Sequence, residues 1–134
     1  MNADREQPNA QLTGRIIKVF YEVYNELGFG FLESIYENAM VVALAQAGLP
    51  VSQQVSCPVI FRGSNVGEYR IDLLVAEAII VETKAVNQLL PIHEAQLVNY
   101  LKATGYEIGL LLNFGPTPQV KRKILSNKNL RSSA

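Results

Sequence analysis

The chain has 134 residues, 49% of them hydrophobic and 18% charged, with 12 basic and 12 acidic side chains, one His, one Cys and no Trp. That is enough apolar chain for one domain with a real core, and it excludes a disordered, collagen-like or disulfide-stapled protein. The zero net charge speaks against a nucleic-acid partner only until it is read by position: the first 107 residues hold seven basic against twelve acidic side chains, net −5, and Lys121, Arg122, Lys123, Lys128 and Arg131 give the last 27 a net of +5.

Residues 1–10 are polar and expected to fray, residues 11–126 to form the domain, and the basic residues 127–134 to be a flexible tail. From Leu12, the positions Ile16, Ile17, Phe20, Val23, Tyr24 and Leu27 recur with the helical period, with Thr13 as N-cap and Gly28 as the stop. A second helix is expected from Phe31 or Leu32 to Ala47, burying Ile35, Ala39 and Val42 or Ala43, with Gly48 ending it. After Pro50 the period changes to two. Residues 51–62, 67–76 and 79–86 read as strands, with Gly63-Ser64-Asn65 as a turn, and short connections make them an antiparallel meander. Pro91 suits the first turn of a helix over 92–104, with Glu94 near its positive end and Gly105 after it. Residues 108–112 are apolar without alternation, as in a strand covered on both faces, and 118–126 reads as a last, basic helix. The order α-α-β-β-β-α-β-α implies an α/β fold with a mixed sheet flanked by helices.

Single Cys57 excludes an intrachain disulfide and a Cys-based zinc cluster; single His93 excludes two-His metal sites. A Cys57–His93 couple stays formally open beside the simpler reading of Cys57, next to Pro58, as a small buried hydrophobe. No apolar run reaches the roughly 18 residues of a membrane span and no leader is visible, so the expected location is the cytoplasm.

The informative residues are charges where the pattern asks for aliphatics. Glu82 and Lys84 interrupt Ile79-Ile80-Val81 and Ala85-Val86, and two residues apart on a strand they share a face. One strand earlier, Tyr69, Ile71, Leu73 and Val75 read as one face, and Glu68, Arg70 and Asp72 as the other. A hairpin register that sets Asp72 opposite Glu82 would bring two carboxylates within a few ångströms, a costly pair that a divalent cation resolves. Oxygen ligands from Asp72, Glu82 and the Thr83 carbonyl suit Mg²⁺ or Mn²⁺, with Lys84 able to orient a water or offset phosphate charge. The same charges also fit a solvated sheet face paired with Arg70 and Lys84. Glu33, in the first turn of the second helix, suits the helix dipole and could also face the cation. Gln96 and Tyr100, four apart on the next helix, could contact phosphate or position Lys84, or form a plain polar stripe; His93 lies one turn earlier, as a helix-start His often does.

Taken in order, Glu33, Asp72, Glu82-Thr83-Lys84 and Gln96-x-x-x-Tyr100 resemble the signature of the PD-(D/E)XK nuclease superfamily, and Gly30-x-x-Glu33-x-x-Tyr36 resembles the motif that names the GxxExxY protein family. The segments around Tyr69–Val75, Pro91–Leu101 and Gly109–Gly115 are similar to that family too, so the likeness spans residues 13–125. Ile71 stands where the superfamily's name has Pro, at a variable position. The resemblance implies a restriction-endonuclease-like core, with Asp72 and Glu82 binding Mg²⁺ or Mn²⁺, Lys84 assisting the nucleophilic water, and Glu33 adding a ligand or holding a metal-bound water. It also implies that Gln96 and Tyr100 match the exonuclease branch. The expected activity is phosphodiester hydrolysis of nucleic acid, with DNA as the polymer by analogy and Lys121, Arg122 and Lys123 on backbone phosphates. The alternative is a weak or inactive module on the same fold that binds nucleic acid or a partner protein; a homodimer is also open.

Overall fold

A computed structural model describes residues 9–126. The expectations for the frayed start and the basic tail fall almost wholly on residues 1–8 and 127–134, outside the described residues. Eight elements follow in chain order: α1 (Ala10–Leu27), α2 (Glu33–Gln46), β1 (Val51–Phe61), β2 (Ser64–Val75), β3 (Ile79–Lys84), α3 (Pro91–Thr104), β4 (Ile108–Phe114) and β5 (Pro118–Ile124). The strands form one sheet in the order β1-β2-β3-β4-β5. Every neighbouring pair is antiparallel except β3 and β4, which are parallel and need the α3 crossover between them. The expected α/β architecture and three-stranded meander are therefore present.

Helices cover both faces. Ile16, Val19, Phe20 and Val23 of α1 and Tyr36, Met40 and Leu44 of α2 pack against Leu73, Val75, Ile79, Val81, Leu110 and Leu112. Leu97 and Leu101 of α3 pack on the opposite face against Tyr69, Ile71, Leu74, Ile80 and Leu111. Strand β4 lies between the two layers and is buried along its whole length, which explains its unbroken apolar run. Among the described residues, no helix is long and apolar enough to cross a membrane.

Four local expectations are corrected. The last element is strand β5, not a helix: it pairs along all of β4, from Phe114 with Pro118 to Ile108 with Ile124, and so satisfies the backbone groups that the β4 edge would otherwise leave open. Pro118, read as a helix opener, is instead the first residue of an edge strand, where its missing N–H does no harm. Helix α1 begins at Ala10 after Asn9; Thr13 lies inside it, buried, with its hydroxyl unpartnered, and is no cap. Helix α2 buries Tyr36, Glu37, Met40 and Leu44, whereas Ile35 and Val42 are exposed, because apolar residues surround this helix and its period cannot select a face. The β1–β2 turn is Arg62-Gly63, both with positive φ, one residue earlier than Gly63-Ser64-Asn65, as a two-residue hairpin requires.

The strand faces also differ from simple alternation. Tyr69 and Ile71 lie under α3, whereas Leu73 and Val75 lie under α1 and α2. On β1, Val51 packs with the α1–α2 side and Val55, Cys57 and Val59 with the α3 side. Both strands switch face at the Gln54–Asp72 position, where the ladder skips a pair and Gln54 adopts φ 55°.

Candidate active site

The β2–β3 ladder runs through Val75–Ile79, Leu74–Ile80 and Leu73–Val81. One more step would set Asp72 opposite Glu82, the register anticipated from the sequence, but there the side chains take over from the backbone. The Thr83 N–H donates to Asp72 Oδ2 at 3.1 Å and the Thr83 hydroxyl to the same oxygen at 3.4 Å. The Asp72 N–H donates to Glu82 Oε2 at 3.4 Å, and the Tyr69 hydroxyl donates to that oxygen as well. Each carboxylate thus has one oxygen held by protein donors, while Asp72 Oδ1 and Glu82 Oε1 accept no hydrogen bond among the described residues.

Glu82 is only 6% exposed. Burial, then the charge of Asp72, pushes its pKa up to about 7, against the opposing pull of the Tyr69 hydrogen bond. Burial raises Asp72 too, with Thr83 the main opposing influence. Lys84 shares the Glu82 end of β3 and draws both carboxyls downward, yet it makes no salt bridge among the described residues. Two adjacent desolvated carboxylates with no ion-pair partner among these residues and one open oxygen each are a donor set that fits a hard divalent cation. Among the described residues no three His, Cys, Asp or Glu side chains close into a ready-made cluster. The fit rests on the Asp72–Glu82 pair.

The remaining residues surround this pair unequally. Glu33 is the first residue of α2, an exposed position favoured by the helix dipole. Its carboxyl is raised by local desolvation, lowered by Lys84 and raised by Asp72, so it belongs to the same electrostatic cluster. Thr83 is fully buried, and its observed part is to hold Asp72. Tyr100 stacks on Tyr69 with ring centroids 3.5 Å apart, and its hydroxyl pKa is raised by burial and then by Glu82 and Asp72. Gln96 is exposed and makes no hydrogen bond to the described residues. His93 caps α3 by accepting the Leu90 N–H at 2.9 Å on Nδ1, and Cys57 packs under α3, so the Cys57–His93 couple does not form.

The basic triplet lies on β5. Lys121 and Lys123 pair with Leu111 and Gly109 on the α3 side, while Arg122 pairs with Leu110 on the other. Lys123 is bound to Glu94 at 2.7 Å, which lowers the Glu94 pKa. A strand thus divides between two faces what a helix was expected to present together.

Two residues of this region escaped sequence reasoning. Tyr69 looked like an ordinary strand apolar, and Glu37 follows Glu33 by one helical turn, the only available hint that both share a face. Glu37 is buried and accepts hydrogen bonds from Gln53 Nε2 at 2.7 Å and Gln54 Nε2 at 2.9 Å. Around the motif residue Tyr36, the hydroxyl's hydrogen bonds are local. The Tyr36 hydroxyl donates to the Gly28 carbonyl at 2.5 Å and accepts the Phe31 N–H at 3.2 Å, fixing the loop from which Glu33 emerges.

The chain matches the PD-(D/E)XK nuclease superfamily over residues 10–124. It belongs to that superfamily. Its fold is also similar to the crystal structure of SSO0001, with a TM-score of 0.53 and 18% identity over 72% of this chain and 53% of that one. The chain therefore spans about half the length of that protein, and the likeness concerns the fold. No curated protein matches. In this chain, the place where the β2–β3 ladder ends is where Asp72 and Glu82 lie side by side, with the charge of Lys84 acting on both.

Proposed function

We propose that the protein is a metal-dependent nuclease of the GxxExxY type that hydrolyses phosphodiester bonds in nucleic acid, with DNA as the polymer. The observation that carries this reading is the desolvated Asp72–Glu82 pair, each carboxylate anchored on one side and open on the other. Beside it stands Lys84, without a salt bridge among the described residues. Asp72 and Glu82 would hold Mg²⁺ or Mn²⁺, with Glu33 and the Thr83 carbonyl as further oxygen donors. When bound, such a cation supplies a water of lowered pKa and offsets negative charge developing on the phosphate.

The chain's own residues do the rest. Thr83 and the Asp72 N–H hold the two carboxylates in register. Lys84 orients the attacking water and stabilises phosphate charge. Tyr100 borders the site through Tyr69, and Gln96, one turn away and open to solvent, is available to the substrate. Lys121 and Lys123 would touch backbone phosphates from the α3 side of β5, which gives a salt-dependent, sequence-independent contribution.

The test is cleavage of single- and double-stranded DNA and RNA, with Mg²⁺, with Mn²⁺ and with chelator. Wild type should cut DNA only with metal, and Asp72→Ala and Lys84→Ala should lower the rate by at least about 100-fold. Equal rates in wild type and both variants would remove the assignment. No cleavage with retained DNA binding would favour the inactive-module alternative.

A further inference from the structure

Adjacent residues on a regular strand point to opposite faces. Gln53 and Gln54 break this rule, because both side-chain amides reach the same Glu37 oxygen on α2. Gln54 does so with φ 55°, a left-handed conformation that strains a non-glycine residue. Gln53 also donates to Asn38 Oδ1 at 2.7 Å, giving the turned segment a third tie to α2. From this point β1 presents Val55, Cys57 and Val59 to α3, and β2 follows it, bringing Ile71 and Tyr69 onto that side.

The consequence concerns Tyr69. On a strand that kept the alternation of Leu73 and Val75, odd-numbered Tyr69 would face α1 and α2, away from the face that Glu82 shares with Ile80. With the switch, its ring stacks on Tyr100 at 13° between planes and its hydroxyl meets Glu82 Oε2. That oxygen receives both protein donors, which sets the rotation of the carboxylate and leaves Oε1 open.

We propose that Tyr69 is a positioning residue for the Glu82 carboxylate, and that the Glu37–Gln53–Gln54 cluster is the device that turns Tyr69 onto the site. The inference rests on the reading of Asp72 and Glu82 as the cation ligands. Tyr69 acts through Glu82, by restricting its carboxylate, as the hydrogen-bond partners of metal-binding carboxylates do elsewhere.

Titration calorimetry of the full chain with MnCl₂, alongside Tyr69→Phe, tests this. Phe keeps the ring that stacks on Tyr100 and removes only the hydroxyl. Expected is a Mn²⁺ affinity about 10- to 100-fold weaker than wild type, with an unchanged thermal melt, while Tyr21→Phe at an exposed position binds as wild type does. Because the chain has no Trp, tyrosine absorbance can be followed directly. Addition of MgCl₂ to wild type should perturb it, and Tyr69→Phe should lose most of that signal, a change that a merely structural ring would not show. Equal Mn²⁺ affinity and an equal tyrosine signal in Tyr69→Phe would overturn the role of Tyr69 while leaving the carboxylate site in place. Absence of Mn²⁺ binding to wild type would overturn the site reading itself, and this inference with it.

Discussion

Glu82 shows what one residue in the wrong-looking place can mean. A carboxylate 6% exposed, with its pKa raised to about 7 by burial and by Asp72, is held in the fold at a cost whenever it is charged. Relative to the ordinary value of 4.5, the folded state retains a proton that the unfolded chain has lost. The associated stabilisation is complete below that ordinary value and disappears as pH rises through about 7. Metal-free protein should therefore melt at a lower temperature at about pH 8 than at about pH 5, by an amount equivalent to on the order of 3 kcal/mol from this group. Glu82→Gln should flatten that slope and melt above the metal-free wild type at the higher pH, as calorimetric scans at several pH values would show. Glu82 and Asp72 were legible in the sequence because charges in an aliphatic strand stand out. Tyr69 was not, because its significance depends on which face it takes, and alternation assigned it the wrong partners.

At the scale of elements, the segment after β3 depends on an unusual set of ties at the end of β4. Asn113, fully buried, accepts the Val86 N–H and donates to the Val86 carbonyl, both at 2.9 Å, so its side-chain amide substitutes for a strand neighbour after the ladder ends at Lys84. Asn113 also donates to Gln119 Oε1, which accepts the Leu89 N–H. A Cβ on Gly115 would stand 2.0 Å from the Val86 carbonyl oxygen, so only glycine allows this approach. Nearby, Phe114 stacks on Tyr36 at 4.3 Å, and the Tyr24 hydroxyl donates to the Gly115 carbonyl at 2.7 Å. Asn113→Ala should cost about 3 kcal/mol by stranding the Val86 backbone groups, and Gly115→Ala a similar amount by displacing the segment that follows Lys84. Denaturant melts measure both, and an effect below about 0.5 kcal/mol for either would contradict these roles. The helix and strand periods could be read without these contacts. The nature of β5 could not, since Pro118 opens a helix or an edge strand equally well and only the open edge of β4 decides between them.

At the scale of the whole molecule, the three helices and five-stranded sheet of the described residues bury a core on both sheet faces while leaving two like-charged carboxylates beside each other where β2 and β3 part. A cation binding there would relieve a repulsion that the folded chain otherwise carries, so binding and stability are linked. At about pH 8, Mg²⁺ at 100 times its dissociation constant should raise the stability of wild type by about 2.7 kcal/mol, visible as a higher melting temperature. Asp72→Ala should remove that response. A melting temperature in wild type that is indifferent to Mg²⁺ and Mn²⁺ would contradict the linkage. The charge imbalance along the chain takes a different form in three dimensions: Lys121 and Lys123 share the α3 face with an acid at Glu94, so the basic end of the sequence is partly matched within the fold.

By itself, the sequence determined the succession of helices and strands up to β4, the α/β class and the odd pair of charges on adjacent strands, because these depend on local periodicity and on residues that contradict it. Tertiary structure alone decided that residues 118–124 pair as a strand, which face α2 buries, and that Gln54 turns two strands over at the site. Those outcomes depend on an open sheet edge, a buried acid on a distant helix and the hydrogen bonds each must satisfy, and none of these is visible to a pattern read along one segment.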